Sequence, residues 1–371
     1  MGKADQTVKG RVPEPMKILY ITPRYYPHIG GVEYVVKSVA ERLVRWGHKV
    51  AVFSGEPNIE IPKEDNVNNV HVIRWPVWSP SNAYHVPRKK TLFERMLENL
   101  LDDIDVLHIH NIHSVLTYYA WKIWRRRKNC KLILTPYYHG TGHTVIRRML
   151  WIGWRRIIRR IIRDAYRVHT VSQLEASLIS RDFQVPAVPI ENGVEEKVKR
   201  LNWKPSNYVL YAGRIEKYKN IHRLAKIILM LNKKYGYDLS FMVIGEGPYR
   251  EKLKKYLDNI GINYVISHFK PYEEYLKILS QAYFFGLLSE KESYPQSVNE
   301  ANAIGVPVVI AKPWGANFNK RRRTLIIDPE SNSEVLAMKI SEFLKQVANE
   351  PRSNVPTWDE IAKIYIQKLY S

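Results

Sequence analysis

The chain has 371 residues, 45% of them hydrophobic, with a formal net charge of +22 and a single cysteine, Cys130. That length and apolar content suit two globular domains and exclude disorder for the bulk of the chain. The lone thiol excludes a disulfide framework and a cysteine-ligated zinc site and fits a reducing compartment, and no apolar run reaches the roughly 18 residues of a membrane span.

Residues 1–15 are polar, lack the apolar segment of a secretory signal, and are expected to be a flexible tail, the folded chain beginning near Met16. Lys17–Thr22 is a short apolar run ended by Pro23, as a buried parallel strand would be. The loop over 23–29 leads to Gly30-Gly31, and Val32–Trp46 then carries Val35, Val36, Val39 and Leu43 at helical spacing until Gly47 stops it. His48–Phe53 is the next strand, so strand, glycine turn, helix and strand make one βαβ unit. The rhythm continues at Val70–Arg74, Val106–His110, Leu132–Thr135 and Arg167–Val171. Such alternation predicts a parallel sheet covered on both faces.

Charge is uneven along this half. Between Ala120 and Thr170 there are fourteen lysines and arginines against one acid, Asp164. Trp154–Arg163 reads as a helix with Trp154, Ile157, Ile158, Ile161 and Ile162 on one arc. Arg155, Arg156, Arg159, Arg160 and Arg163 lie on the other. No acid nearby in sequence offsets the repulsion between these cations, whereas an anionic lipid surface would reverse it, by about 1 kcal/mol per cation. Trp151 and Trp154 suit a headgroup interface. The apolar arc can instead pack on the domain and leave the arginines to meet phosphates, and a core-packed helix with a merely solvated basic face stays open. No nucleic-acid-binding module accompanies the charge, so nucleic acid is not the expected partner.

A polar, proline-containing stretch, Glu195–Asn207, precedes a second series of strands at Tyr208–Ala212, Leu239–Ile244, Phe284–Ser289 and Val306–Ile310. Two α/β halves joined near residue 200 place a ligand in the cleft between them, at the carboxyl ends of strands. Gly30-Gly31 opens a helix after a strand, where a substrate can approach bare backbone and a helix N-terminus favours an anion. Arg214 and Lys219 share the loop after the second half's first strand, and two fixed cations suit a diphosphate. In the segment from Ser289 to Val309, Glu292 precedes the helix that carries Glu300, with Pro295 at its start and Gly305 at its end. Each carboxylate can accept two hydrogen bonds, as a ribose diol requires; a capping acid and a surface acid are the plainer alternative.

In combination these segments resemble the retaining glycosyltransferases of family 4, group 1 type, from Met16 onward. The resemblance rests on Pro27-His-Ile-Gly-Gly-Val-Glu33, His108-Ile-His-Asn111, Val171-Ser-Gln173, Ile190-Glu-Asn-Gly-Val194, Gly213-Arg214…Lys219, Gly245-Glu-Gly-Pro248, and Glu292-x7-Glu300 followed by Gly-Val-Pro-Val-Val. Thr357-Trp-Asp-Glu360 is similar to the start of the family's last helix. The resemblance implies an α/β, GT-B architecture: two facing Rossmann-like domains with parallel sheets and an interdomain cleft. It divides the chain into an acceptor domain over 16–200, a nucleotide-sugar-binding domain over 201–356 and a helix over 357–371 that returns to the first domain. Arg214 and Lys219 would bind the donor diphosphate, with no metal or other cofactor. Glu300 would hold the ribose, and Glu292 with the amides of Ser293 to Pro295 would contact sugar and phosphate. Gly30-Gly31 would close over the diphosphate, His139 would stand near the reacting sugar, and Phe269–Pro271 would flank the base. Ser293 and Tyr294 complete the expected donor-binding set. Glu191 stands where the family usually has proline, and Tyr294 where it has phenylalanine.

The expected activity is that of a retaining hexosyltransferase, moving sugar from a nucleotide diphosphate sugar to a lipid-linked saccharide or phospholipid. It is expected on the cytoplasmic face of an anionic membrane. A nucleotide-sugar epimerase of the same fold is an alternative, as is a non-catalytic membrane- or RNA-binding protein. The basic helix argues against the first and the intact Arg214, Lys219 and Glu292 against the second.

Overall fold

The computed structural model describes residues 14–28, 30–80, 83–140 and 145–371, with side chains at all of these except 145–150. Residues 1–13 of the expected tail, and Ile29 of the Pro27–Glu33 motif, lie outside the described residues.

The N-terminal half runs β1 (Lys17–Thr22), α1 (Gly31–Arg45), β2 (Lys49–Glu56), β3 (Lys63–Val67), β4 (Val70–Trp78), β5 (Val86–Pro87), α2 (Lys90–Leu101), β6 (Val106–His110), α3 (Val115–Arg127), β7 (Lys131–Thr135), α4 (Val145–Asp164), β8 (Arg167–Thr170), α5 (Gln173–Phe183) and β9 (Val188–Pro189). Its sheet has the order β3-β4-β2-β1-β6-β7-β8-β9, with β5 also on β4. Only β3 and β5 run antiparallel to their neighbour. The two faces of β1 show why its sequence is an unbroken apolar run. Ile18 and Tyr20 point toward α1, whereas Leu19 and Ile21 join the core under α2, α3 and α4.

The second half begins with α6 (Glu196–Lys199), β10 (Tyr208–Ala212), α7 (Ile221–Tyr235), β11 (Ser240–Ile244), α8 (Arg250–Ile260) and β12 (Tyr264–Ser267). It continues through α9 (Tyr272–Gln281), β13 (Phe284–Leu287), α10 (Gln296–Ile304), β14 (Val308–Ala311), β15 (Thr324–Ile327), α11 (Ser333–Val347) and α12 (Trp358–Tyr365). Six parallel strands lie in the order β12-β11-β10-β13-β14-β15. Strand order therefore reverses between β10 and β13, as it does in the first sheet between β1 and β6. Those two reversals are the points where a doubly wound sheet opens a crevice. The edge strands β3, β12 and β15 carry half-exposed residues; β3 is polar, whereas β12 and β15 are apolar stretches of four residues that the sequence reading does not include.

The chain crosses between the halves twice. Asn192–Glu195 leads out of the first half, and the segment before α12 leads back, with Val194 bridged to Thr357. A Cβ on Gly193 would fall 2.6 Å from the backbone at Thr357, so glycine lets the two crossings touch. Thr357 and Glu360 cap α12 reciprocally. The helix buries Trp358, Ile361 and Tyr365 in the same core as Val35, Val36 and Val39 of α1.

Candidate functional site

The two strand-order reversals face one another across a cleft of about 1000 Å³, entered by Gly30 and Glu33 from one half and by Gly213, Phe269, Tyr272 and Glu300 from the other. Close backbone packing shapes the C-terminal side. Gly245 has φ +151, and a Cβ there would fall 1.9 Å from the Gly213 carbonyl oxygen. The amide of Ile215 donates to the Glu246 carbonyl at 2.7 Å. The loop bearing Arg214 and the loop after β11 are thus stacked backbone on backbone, which no side chain would allow.

Lys219 sits on the 3₁₀ turn after β10, with its Nζ 2.5 Å from Glu292 Oε1 and both side chains mostly buried. Arg214 extends from the same loop, pairs with Glu216 at 2.8 Å, and is largely exposed. Glu300 is buried on α10 and accepts from the hydroxyls of Tyr272 at 2.8 Å and Tyr275 at 3.0 Å. Burial pushes its pKa up to about 7, against the opposing pull of the two tyrosines and Gln296. Neither tyrosine was singled out from sequence. The only cue is their spacing of three after Pro271, which a helix places on one face.

From the N-terminal side, Gly30 caps α1 and the Glu33 carboxylate folds back over it, so that a Cβ on Gly30 would fall 2.2 Å from Glu33 Oε2. That carboxylate therefore lies at the positive end of the helix, where an anion is favoured. Burial raises its pKa, while Arg24, His28 and Arg214 act in the opposite direction. Gly31 is exposed at the first turn. One turn on, the Tyr34 hydroxyl lies 3.4 Å from that of Tyr272. His139, after β7, has Nδ1 3.4 Å from Ser293 Oγ and its ring 5.6 Å from that of His113. Two loops expected to share one site, from opposite halves, therefore touch there.

Tyr294, expected in the donor set through its backbone amide, turns its side chain elsewhere. Its ring is buried against Phe318 and its hydroxyl donates to Glu191, so its side chain faces away from the cleft. Among the described residues no group of three His, Cys, Asp or Glu is placed to hold a metal ion.

The basic face lies on α3 and α4. Trp151 and Trp154, expected at a lipid interface, are turned inward instead. Trp151 packs against Tyr138 in the core, and Trp154 donates its indole N–H to the Ile112 carbonyl at 2.8 Å. The isoleucine arc takes them inward with it. Arg155 also leans in, donating to the Asp182 carbonyl and lying over Phe183. Arg156, Arg159, Arg160 and Arg163 are exposed, and no ion pair involves them among the described residues. On α3 the charge is offset by acids that the local sequence does not reveal: Lys122 and Arg126 pair with Glu94 and Glu98 of α2, and Arg127 with Asp102 just beyond its end. No helix among the described residues is long and apolar enough to cross a membrane.

Comparison with known proteins places two family models end to end on the chain. "Glycosyltransferase Family 4" matches residues 29–198, and "Glycosyl transferases group 1" matches 194–355. Among curated proteins, the chain is 24% identical to GDP-mannose:cellobiosyl-diphosphopolyprenol alpha-mannosyltransferase of Komagataeibacter xylinus, over 87% of this chain and 83% of that one. It is 24% identical to N-acetyl-alpha-D-glucosaminyl L-malate synthase of Bacillus anthracis, over 78% of each. Among solved structures it is similar to sucrose-phosphate synthase of Thermosynechococcus elongatus, with a TM-score of 0.71 at 17% identity, covering 96% of this chain and 95% of that one. It is also similar to Anabaena Alr3699/HepE in complex with UDP and glucose, with a TM-score of 0.67 at 14% identity, covering 96% and 100%. The architecture shared with these neighbours is GT-B, two Rossmann-like domains.

Proposed function

We propose, for a chain that belongs to the family 4, group 1 type glycosyltransferases, that it transfers a hexosyl group from a nucleotide diphosphate sugar to a membrane-associated acceptor with retention of configuration. The observation that carries the reading is that Gly30 and Glu300 line one cleft where both sheets reverse strand order, while the loop between β13 and α10 holds Glu292 on Lys219 and sets Ser293 against His139 of the other half.

In this reading the diphosphate lies between the N-terminus of α1 and the cations Arg214 and Lys219. As the sugar departs, negative charge grows on the diphosphate, and those fixed cations stabilise it without a divalent ion. Glu300 has four acceptor positions; the two tyrosines and Gln296 take three, so a ribose hydroxyl takes the fourth and a second one displaces or shares a tyrosine's position. Glu292 and the backbone N–H groups of Ser293 and Tyr294 hold the sugar and the phosphate. The acceptor hydroxyl approaches on the face the diphosphate leaves and gives its proton to a diphosphate oxygen, with His139 alongside. An acceptor at an anionic membrane surface is supported by Arg156, Arg159, Arg160 and Arg163 of α4, which are exposed and have no acidic partner among the described residues. The K. xylinus relative, named for a cellobiosyl-diphosphopolyprenol acceptor, supports the same choice; the B. anthracis relative, named for a malate product, supports a small soluble one.

The test is transfer from a panel of nucleotide sugars to membrane lipid extract, with Glu300→Ala raising donor KM and Glu292→Ala mainly lowering kcat. Soaked UDP or GDP found outside the cleft, or both variants transferring normally, would overturn it.

A further inference from the structure

Glu191 and Tyr294, 103 residues apart in the sequence, are in contact. The Tyr294 hydroxyl donates to Glu191 Oε2 at 2.7 Å, and Arg321 Nη2 donates to the same oxygen at 2.6 Å. Arg321 Nη1 also donates to the Asn354 carbonyl at 2.5 Å. Glu191 begins the outward crossing between the halves and Asn354 belongs to the returning one, so a single guanidinium holds both. The outward crossing is fixed to the donor helix as well. Gln296 Nε2 donates to the Gly193 carbonyl at 2.8 Å and Asn299 Nδ2 to that of Asn192 at 2.7 Å.

Tyr294 lies between Ser293, which meets His139 of the other half, and Pro295, which starts α10. A phenylalanine there would fill the same space against Phe318, so the ring does not explain the hydroxyl. A hydroxyl this buried needs an acceptor, and Glu191 supplies the short one at 2.7 Å, with Asn299 Oδ1 of α10 at 3.3 Å.

We infer that Glu191, Tyr294 and Arg321 are positioning residues for the transfer reaction. They pin the loop bearing Glu292 and Ser293 to both crossings and so set how closely that loop meets His139. None of the three touches the reacting atoms; they act through Glu292 and Ser293. The inference rests on the transferase reading given above.

The test compares Tyr294→Phe, Glu191→Gln and the double variant in kcat, donor KM, melting temperature and amide hydrogen exchange over residues 290–296. Each single change is expected to lower kcat about tenfold with donor KM within about twofold, because misplacement of a reacting group acts on turnover rather than on binding. Exchange over 290–296 quickens, and the double variant is no slower than the poorer single one, as coupled residues behave. Unchanged exchange and kcat would overturn the inference. So would a lower melting temperature with kcat unchanged, or effects that multiply in the double variant. Should the wild type transfer no sugar, the transferase reading fails by itself. The exchange measurement then decides alone: protection lost in Tyr294→Phe keeps the pinned loop, and protection retained removes it.

Discussion

The Lys219 ammonium stands 2.5 Å from the Glu292 carboxylate, with neither side chain more than 15% exposed. Each partner keeps the other from being a buried, uncompensated charge. Glu292→Gln or Lys219→Met alone should therefore lower the melting temperature by several degrees, consistent with a loss of up to about 3 kcal/mol when one partner of a buried pair is removed. The double variant Lys219→Met/Glu292→Gln should recover most of that stability, since nothing charged is left unpaired. Activity should not follow. In all three variants kcat is expected to fall about 10²-fold or more, as when a group that stabilises developing charge is lost. Calorimetry and initial rates on the same preparations separate the two effects, and a double variant that regains activity along with stability would make the pair a structural one.

Glu300 gives opposite signs for binding and stability. Ionised, it accepts from ribose hydroxyls; protonated, it loses acceptor capacity. Donor affinity should therefore rise as pH rises through about 7, and the slope should vanish in Glu300→Gln, with donor KM raised about tenfold. For folding, the raised pKa means that the native state keeps a proton which the unfolded chain has released between the ordinary carboxyl range and about pH 7. Stability should fall as pH rises through that window and level off above it. Glu175, buried under the amides of Tyr138 and Val171 and pushed up to about 8, acts in the same direction. Urea midpoints of wild type and Glu300→Gln between about pH 5 and 8.5 check this, the variant showing the shallower decline.

Glu33 places a carboxylate at the helix terminus assigned to the donor diphosphate. Its charge opposes an incoming anion, so Glu33→Gln should tighten nucleoside diphosphate binding about fivefold, the effect of one charge near a helix end. Because burial raises the Glu33 pKa, uptake of its proton as pH falls offsets part of the affinity lost when Glu300 is protonated, so donor affinity should depend more steeply on pH in Glu33→Gln than in the wild type. Titration calorimetry with UDP and GDP measures both, and weaker binding by Glu33→Gln would make the carboxylate a ligand contact instead.

Legibility in the sequence followed locality. Strands with both faces buried, such as β1 and β10, read as apolar runs, and the loops that follow them carry Gly30, Arg214 and Lys219 at readable spacing. The half-exposed edges β12 and β15 are apolar too, but run only four residues and have no glycine-bearing loop after them. What tertiary packing decides was not readable. Tyr272 and Tyr275 look like any helix face until α9 is set beside Glu300. Trp151 and Trp154 suit lipid or core equally well by composition, and only the docking of α4 on α3 turns them inward. The acids that offset α3 arrive from α2, more than twenty residues upstream. Glu191 and Tyr294 were visible only as two separate departures, because a pair 103 residues apart has no sequence spacing to reveal it.

The division of charge between α3 and α4 makes the membrane proposal testable at residue level. Lys122, Arg126 and Arg127 already have carboxylate partners, so lipid phosphates would have to compete with Glu94, Glu98 and Asp102 for them. Arg156, Arg159, Arg160 and Arg163 are exposed on α4 without such competition. At about 1 kcal/mol per cation near an anionic surface, neutralising these four with glutamine should weaken partition into anionic vesicles about 10³-fold, whereas the same change at the three α3 positions should act far less. Rising salt should erase the difference between wild type and the α4 variant, since the attraction falls off within a Debye length. Glu94→Gln/Glu98→Gln should act oppositely, releasing α3 cations and strengthening binding. Flotation with vesicles of neutral and anionic composition reads all of these. Equal binding to neutral vesicles, or an α3 variant that loses as much as the α4 variant, would show that the arginines of α4 do not hold the protein at the surface.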